Sequence, residues 1–89
     1  MVVVTFPRVL ERHVECPPVE VEARTVRQAL DAAFLVLPAV SGYVLDDQGA
    51  LRQHMIVLID DAPVRDRRGL SDAVRPSAEV HVLQALSGG

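Results

Sequence analysis

Residues 19–37, VEVEARTVRQALDAAFLVL, place a short strand directly before an amphipathic helix. Residues 19–23 alternate apolar and charged side chains, which is the period of a half-buried strand. Thr25 is a good N-cap, and Gln28 follows three residues later in the position that completes a capping box. Apolar side chains then recur at three- and four-residue steps until Pro38 ends the pattern. This stretch therefore predicts a strand followed by one long helix.

Further strands are predicted on both sides of this unit. Residues 2–6 are short, β-branched and apolar, and we expect them in the centre of a sheet, paired with residues 19–23 as a hairpin. Residues 54–59 form the longest apolar strand, and Val64 begins a short return strand after a tight turn. Residues 79–84 alternate again and predict a last strand that lies parallel to the first. The order β-β-α-β-(β)-β indicates an α+β fold in which one main helix packs across a mixed sheet of four to five strands.

The remaining segments predict connections and one flexible end. Residues 8–18 and 38–53 are expected to be loops, and residues 70–74 a single helical turn. No linker, repeat or low-complexity segment divides the sequence. We therefore expect one domain over residues 1–84 and a flexible diglycine tail over residues 85–89.

Composition limits the class of protein. The chain has 89 residues, of which 49% are hydrophobic and 24% charged, as in ordinary globular domains. Its net charge of −3 disfavours nucleic acid and anionic membranes as partners, because both bind positive surfaces. No apolar run approaches the ~18 residues of a membrane span, and the first residues lack the pattern of a secretory signal. With Cys16 as the single cysteine, these features predict a cytoplasmic protein.

All nine basic residues are arginines, so the sequence contains no lysine. One explanation is a genome that prefers arginine codons. The other explanation is that the chain offers no side-chain amine for acylation. The composition alone favours the first explanation, and the diglycine end keeps the second one open.

The usual catalytic patterns are missing from the sequence. The glycines do not form a phosphate-binding loop, and no serine lies in a nucleophile-elbow pattern. His13 and Cys16 stand three residues apart, but no second pair completes a zinc site. A lone cysteine is more often an inert structural residue than a reactive thiol. The adjacent carboxylates at 46–47 and 60–61 point apart on an extended chain, and turn formation explains both pairs.

The last two residues carry the strongest functional signal. Gly88 and Gly89 lack Cβ atoms, so they can lie extended in a channel too narrow for any other residue. Residues 85–89 span at most ~17 Å beyond the last strand. A diglycine alone is a weak signal, but it becomes strong when it follows a β-β-α-β-β order in a chain of this length. The combination suits delivery of a terminal carboxylate into the active site of another protein.

With these features, the sequence resembles the β-grasp, ubiquitin-like sulfur carriers of the MoaD/ThiS type. The likeness is nearest to the branch that supplies sulfur for cysteine synthesis in actinobacteria. The matching stretches are VTFP at 4–7, LDDQGALR at 45–52, VLIDDAPVR at 57–65, GL at 69–70 and EVHVLQALSGG at 79–89. Asp60 stands where the family commonly has asparagine, and Gln84 stands where it has proline. The resemblance covers nearly the whole chain and leaves the acceptor pathway open.

The resemblance implies a carrier and not an enzyme. An adenylating enzyme of the ubiquitin-activating type would join the Gly89 carboxylate to AMP with ATP and magnesium, and a sulfur donor would convert it to a thiocarboxylate. Ser87 and Gly88 would thread the tail into that active site. The chain itself would bind no cofactor or metal. The resemblance also implies a sulfur-accepting synthase and a metalloprotease of the JAB1/MPN type, which holds its own zinc and trims residues added to Gly89.

Strand alternation adds a docking surface for such partners. If Met55, Val57 and Ile59 face the helix, the residues between them face outward. By the same alternation, the last strand turns every second residue outward beside them. The predicted docking residues are Ile56, Leu58, His81, Leu83 and Leu86. The alternative is that the loops at 8–18 or 38–53 cover some of these side chains.

Three other functions remain open from the sequence. A ubiquitin-like modifier would form an isopeptide between Gly89 and a target lysine, and the missing lysines would prevent chains of the protein on itself. A small subunit of molybdopterin synthase would form a stable complex with a large subunit. A plain interaction module would leave the diglycine idle. For a sulfur carrier, the acceptor is also open and could be a precursor of cysteine, thiamine, molybdopterin or a secondary metabolite.

Overall fold

The protein forms a five-stranded mixed sheet with one main helix across one face, and the computed structural model describes residues 1–85. The strands are β1 (Val2–Thr5), β2 (Val19–Val21), β3 (Met55–Ile59), β4 (Ala62–Pro63) and β5 (Glu79–Gln84). The helices are α1 (Val26–Val36) and the single turn α2 (Ser41–Val44), with 3₁₀ segments at Arg8–Arg12 and Pro38–Val40. The strand order across the sheet is β2-β1-β5-β3-β4. The predicted α+β architecture is confirmed.

Strand pairing agrees with the two predicted pairs, the hairpin of the first two strands and the parallel pair of the first and last strands. β1 and β2 are antiparallel with Val3 opposite Glu20, as in the predicted hairpin. β1 and β5 are parallel neighbours with Val4 opposite Val80, as predicted for the first and last strands. β3 lies antiparallel to β5 on its other side, and β4 pairs with β3. The return strand was expected to begin at Val64, but β4 ends one residue before it.

The core lies between α1 and one face of the sheet. Alternate residues of three strands point into it and are almost fully buried: Val2, Val4, Met55, Val57, Val80 and Val82. The helix buries Val26, Ala29, Leu30 and Ala33 against them. Because Leu30 is fully buried, its truncation to alanine would cost about 2–5 kcal/mol of stability. None of the helices in residues 1–85 has the length and apolar character needed to cross a membrane.

The start of α1 follows the predicted capping pattern. The Thr25 hydroxyl accepts a hydrogen bond from the Gln28 amide at 3.2 Å. The Gln28 side chain accepts one from the Arg24 amide at 2.9 Å. The first bond satisfies a backbone donor that the first helical turn cannot pair internally, and the second satisfies the amide of the residue that precedes the N-cap. Thr25 is therefore the N-cap that the sequence predicted.

Two further amides of α1 bind the segment that precedes β5. The Val26 amide donates to the Asp72 carbonyl at 3.0 Å, and the Arg27 amide donates to the Leu70 carbonyl at 2.8 Å. The predicted helical turn at 70–74 is therefore wrong. These carbonyls serve α1, so the segment takes a non-helical path along the start of that helix.

Both predicted loops contain short helical turns. The 3₁₀ segment after β1 buries Leu10 in the core. Pro38 ends α1 as predicted, but it also begins the second 3₁₀ segment, because its fixed φ suits the first position of a helical turn. Val40 and Val44 are then buried four residues apart, which explains why this stretch is helical instead of irregular.

Arginine side chains tie these loops together by binding backbone carbonyls. Arg27 donates to the carbonyls of Gly49, Arg68 and Gly69 at 2.6, 3.0 and 3.2 Å. Arg67 donates to those of Arg52, Gln53 and Met55 at 2.9, 3.4 and 2.7 Å. Arg52 donates to Gly42 at 2.8 Å. A planar guanidinium with five donors can serve several carbonyls at once, which gives these arginines a structural role.

Candidate functional site

The face of the sheet opposite α1 carries four of the five predicted docking residues. Ile56 pairs directly with Leu83, and Leu58 with His81, between β3 and β5. Leu83 is 40% exposed, and the other three are half-buried. Side chains in directly opposed pairs lie ~4.5–5.5 Å apart at Cβ, so the four form one continuous surface, which we call the outer patch. Leu86, the fifth predicted residue, lies outside the described residues.

β1 extends the outer patch with residues that sequence analysis missed. In the parallel pair of β1 and β5, Thr5 lies opposite His81 and Val3 lies opposite Glu79. Because side chains alternate along a strand, Val3 and Thr5 point away from the core that holds their neighbours. The signal was present in the sequence, since the same alternation applied to residues 2–6 would have placed both residues outward.

His81 is held on one side of its ring by a hydrogen bond and has a carboxylate near the other side. Its Nδ1 atom lies 2.8 Å from the Thr5 hydroxyl, within hydrogen-bonding distance. Its Nε2 atom lies 3.9 Å from a carboxylate oxygen of Glu79. A ring held in this way gives an otherwise apolar patch one directional polar contact. Such a contact can fix the orientation of a bound partner.

The buried side chains of the loops at 8–18 and 38–53 pack on the helix side of the sheet. Leu10, Val40 and Val44 are buried in the core together with the residues of α1. Phe6 stacks on Phe34 of α1 with ring centroids 6.1 Å apart. These segments therefore leave the outer patch partly exposed.

The end of β5 determines where the tail leaves the sheet. Gln84 lies opposite Met55, and the Ala85 amide donates to the His54 carbonyl at 2.8 Å. Leu83 is therefore the member of the outer patch nearest to the tail. The predicted tail residues Ser87, Gly88 and Gly89 lie outside the described residues.

The turn between β3 and β4 anchors the start of β5. Asp60 has a φ of 55°, in the left-handed region that aspartate and asparagine tolerate better than most residues. Its carboxylate accepts hydrogen bonds from the Arg75 guanidinium and the Glu79 amide, both at 3.1 Å. The bond from Arg75, followed by that from Glu79, lowers the pKa of Asp60. Asp60 thus serves the turn, as the sequence predicted for the adjacent carboxylates.

His13 and Cys16 have separate structural surroundings. His13 stacks on Tyr43 with ring centroids 5.7 Å apart, whereas Cys16 is buried. Burial, and then the charge of Glu11, raise the pKa of the Cys16 thiol. Among residues 1–85, no group of three or more His, Cys, Asp and Glu side chains is placed to hold a metal ion.

The strand order, the parallel pair of β1 and β5 and the helix across one face define a β-grasp fold of the ubiquitin-like class. Within that class, the chain is similar to SAMP1 from Haloferax volcanii at 26% identity, covering 99% of this chain and 98% of that chain, with a TM-score of 0.76. It is similar to a chain in the Amycolatopsis orientalis BexX/CysO complex at 25% identity, covering 100% of both chains, with a TM-score of 0.82. SAMP1 from Methanosarcina acetivorans, at 22% identity over 99% and 95% of the two chains, shares the fold with a TM-score of 0.77.

No family model matches the sequence, and a search of curated proteins finds no match. The solved structures support the fold of ubiquitin-like sulfur carriers and modifiers, as the resemblance to the MoaD/ThiS type implied. The chain is therefore best described as a small ubiquitin-like carrier or modifier. Its assignment to the cysteine-synthesis branch stays a prediction.

Proposed function

We propose that the chain is a ubiquitin-like sulfur carrier that receives sulfur at the carboxylate of Gly89. The observation that carries this proposal is the likeness to CysO, which extends over 100% of both chains with a TM-score of 0.82. The diglycine at 88–89 supplies the terminal group that such a carrier needs. A precursor of cysteine is the first acceptor to test, and precursors of thiamine, molybdopterin and secondary metabolites follow.

The chemistry takes two steps in the active site of an adenylating enzyme. The Gly89 carboxylate attacks the α-phosphorus of ATP, pyrophosphate leaves, and an acyl adenylate forms. Sulfide from a sulfur donor then attacks the acyl carbon, AMP leaves, and a thiocarboxylate remains. A free carboxylate is a poor electrophile, so activation by AMP as a leaving group is what makes the second step possible. ATP and magnesium belong to the enzyme, and the chain supplies the carboxylate.

The tail is suited to this delivery by its composition. Ser87 is small, and Gly88 and Gly89 have no side chain, so the end can enter a narrow channel. Residues 85–89 reach at most ~17 Å, which is enough to enter a cleft while the folded domain stays outside. The anchored amide of Ala85 gives the tail a defined starting point on the sheet.

We assign docking of the adenylating enzyme to the outer patch together with Leu86. Leu83 and Ile56 form the end of the patch next to the tail, so binding there holds the tail in register with the active site. The half-buried apolar side chains would bury further surface against a partner, which favours association. His81, fixed by Thr5, adds the polar contact that sets the orientation.

Other partners follow from the same cycle. A sulfur-accepting synthase takes the thiocarboxylate, and a JAB1/MPN-type metalloprotease removes residues added beyond Gly89. The structure of CysO together with BexX shows a relative in complex with a protein partner, which supports docking of this kind. We place the cycle in the cytoplasm, where ATP is available for the activation step.

A ubiquitin-like modifier is the second candidate. The likeness to SAMP1, a small archaeal modifier protein, supports it with 26% identity and a TM-score of 0.76. A modifier needs the same adenylation, but the acyl group of Gly89 then passes to a lysine of another protein. The two functions therefore differ only in whether sulfur or an amide nitrogen is found on the Gly89 carbonyl.

Activation itself is tested by ATP–pyrophosphate exchange with the adenylating enzyme. The full chain should support exchange, and deletion of Gly89 should abolish it. Gly42→Ala is the matched control, since a Cβ at this glycine would meet nothing within 4 Å, and it should retain exchange. Exchange that survives the deletion, or is absent with the full chain, would reject the proposed function.

A further inference from the structure

The chain has arginine and no lysine even at positions where the folded structure would accept either residue. The side chains of four of its nine arginines form hydrogen bonds or an ion pair: Arg27, Arg52, Arg67 and Arg75. The other five, Arg8, Arg12, Arg24, Arg65 and Arg68, make no side-chain hydrogen bond or ion pair to any residue in the described range 1–85. At these five positions the structure needs no guanidinium. A lysine there would differ mainly in offering a nucleophilic amine.

An α-amine at residue 1 lies out of reach of the tail. In the parallel pair of β1 and β5, Val3 is level with Glu79, so Met1 is about level with residue 77. At ~3.3 Å per residue of strand, Glu79 is ~20 Å from Ala85, where the sheet ends, and Met1 lies beyond the level of Glu79. Residues 86–89 extend at most ~14 Å. The carbonyl of Gly89 therefore cannot reach this amine within one chain.

Burial, and not distance, keeps the Cys16 thiol from reacting with the activated carbonyl of Gly89. β2 begins with Val19 opposite Val4, so Cys16 lies at the end of the sheet from which the tail also leaves. Its side chain is only 5% exposed, and burial keeps the thiol in its protonated, poorly nucleophilic form. The one thiol at the tail end of the molecule is thus unavailable to an activated carbonyl.

From these three observations we propose that the protein is a donor only: no amine or thiol side chain of the protein captures an activated C-terminus, and the α-amine at residue 1 cannot do so within one chain. The proposal rests on the proposed activation of Gly89. In the reaction that is avoided, an amine attacks the acyl adenylate, a C–N bond forms, AMP leaves with the electron pair of the broken C–O bond, and the nitrogen loses a proton. Blocking this reaction keeps the acyl group for sulfide or for another protein. It also prevents chains of the protein linked through its own side chains.

The test introduces amines at matched positions. Arg8→Lys places an amine just after β1, at the end of the sheet where the parallel strand β5 also ends, and Arg24→Lys places one near Met1 at the opposite end. Each chain is incubated with the adenylating enzyme and ATP without sulfide, and pyrophosphate release and intact mass are measured. Addition of a simple primary amine to the wild-type reaction shows that activated Gly89 can be captured.

Each capture reaction gives a product that is lighter by one water than the chain or chains that are joined. The wild type should show no loss of water on any internal peptide. R24K should give a dimer linked through the new lysine. R8K should give a dimer or a circular monomer. Pyrophosphate release without capture in either variant, or capture on a side chain of the wild type, would overturn the donor-only proposal. Absence of pyrophosphate release from every chain would instead reject the activation of Gly89, and the donor-only proposal with it.

Discussion

Asp66 organises the loop between β4 and β5 through its carboxylate. It accepts hydrogen bonds from the Ser71 hydroxyl at 2.6 Å, the Gly69 amide at 2.8 Å and the Arg68 amide at 3.2 Å. These bonds, led by that of Ser71, lower the pKa of Asp66 to about 2. The same loop supplies the carbonyls that bind the start of α1, so one carboxylate supports contacts far beyond its own turn.

Stability should therefore fall as the solution is acidified. The pKa of Asp66 is lower in the folded chain than in the unfolded one, so its contribution is complete above pH ~4 and is lost as the pH falls towards ~2. Asp66→Asn should lower the urea midpoint at neutral pH and weaken this pH dependence. Asp47→Asn is the control, because the Asp47 side chain makes no hydrogen bond within residues 1–85. Equal midpoints for wild type and D66N at neutral pH would contradict this role.

Leu70 shows where prediction from residue type fails. It has a φ of 55° although it is a large, fully buried aliphatic residue. A left-handed backbone costs such a residue roughly 1–2 kcal/mol, so the sequence gives no reason to expect it. Burial of its side chain and the hydrogen bond from the Arg27 amide to its carbonyl hold it there. Asp60, by contrast, has the same φ in a turn that the sequence did predict.

At the scale of elements, Arg27 connects α1 to two loops. Its guanidinium binds the carbonyls of Gly49, Arg68 and Gly69. We expect Arg27→Lys to lower the free energy of unfolding by about 1–2 kcal/mol, because an ammonium group cannot serve all three carbonyls in this geometry. Urea denaturation measures the change. Arg24→Lys, whose side chain has no hydrogen-bond partner within residues 1–85, should leave the stability unaltered, and equal loss in both variants would refute the role of Arg27.

The sheet and α1 present two exposed leucines on opposite sides of the molecule. Leu83 lies in the outer patch and is 40% exposed, whereas Leu35 lies on α1 and is 86% exposed. We expect Leu83→Asp to raise the KM of the adenylating enzyme for this chain by about tenfold or more, because it replaces an exposed apolar contact next to the tail with a charge. Leu35→Asp should leave KM unchanged, and urea denaturation checks that both variants fold. An unchanged KM for L83D would remove the outer patch from the docking surface.

For the whole molecule, the elements with one clear period were predictable. Alternation in β3 and β5 placed four of the predicted docking residues on one face, and the helical period identified α1. The segment at 70–74 was not predictable, because Leu70 and Val74 have helical spacing while the carbonyls of this segment bind α1. Alternation along residues 2–6 would have placed Thr5 on the outer face, but its contact with His81 joins the two ends of the chain, which local patterns do not connect.

The most direct measurement is the intact mass of the chain after incubation with its adenylating enzyme, ATP and a sulfide source. A sulfur carrier should exchange one oxygen for sulfur on the peptide that ends in Gly89, and the change should be absent from a chain lacking Gly89. An unmodified end under every condition, or Gly89 found only in amide linkage to other proteins, would contradict sulfur transfer.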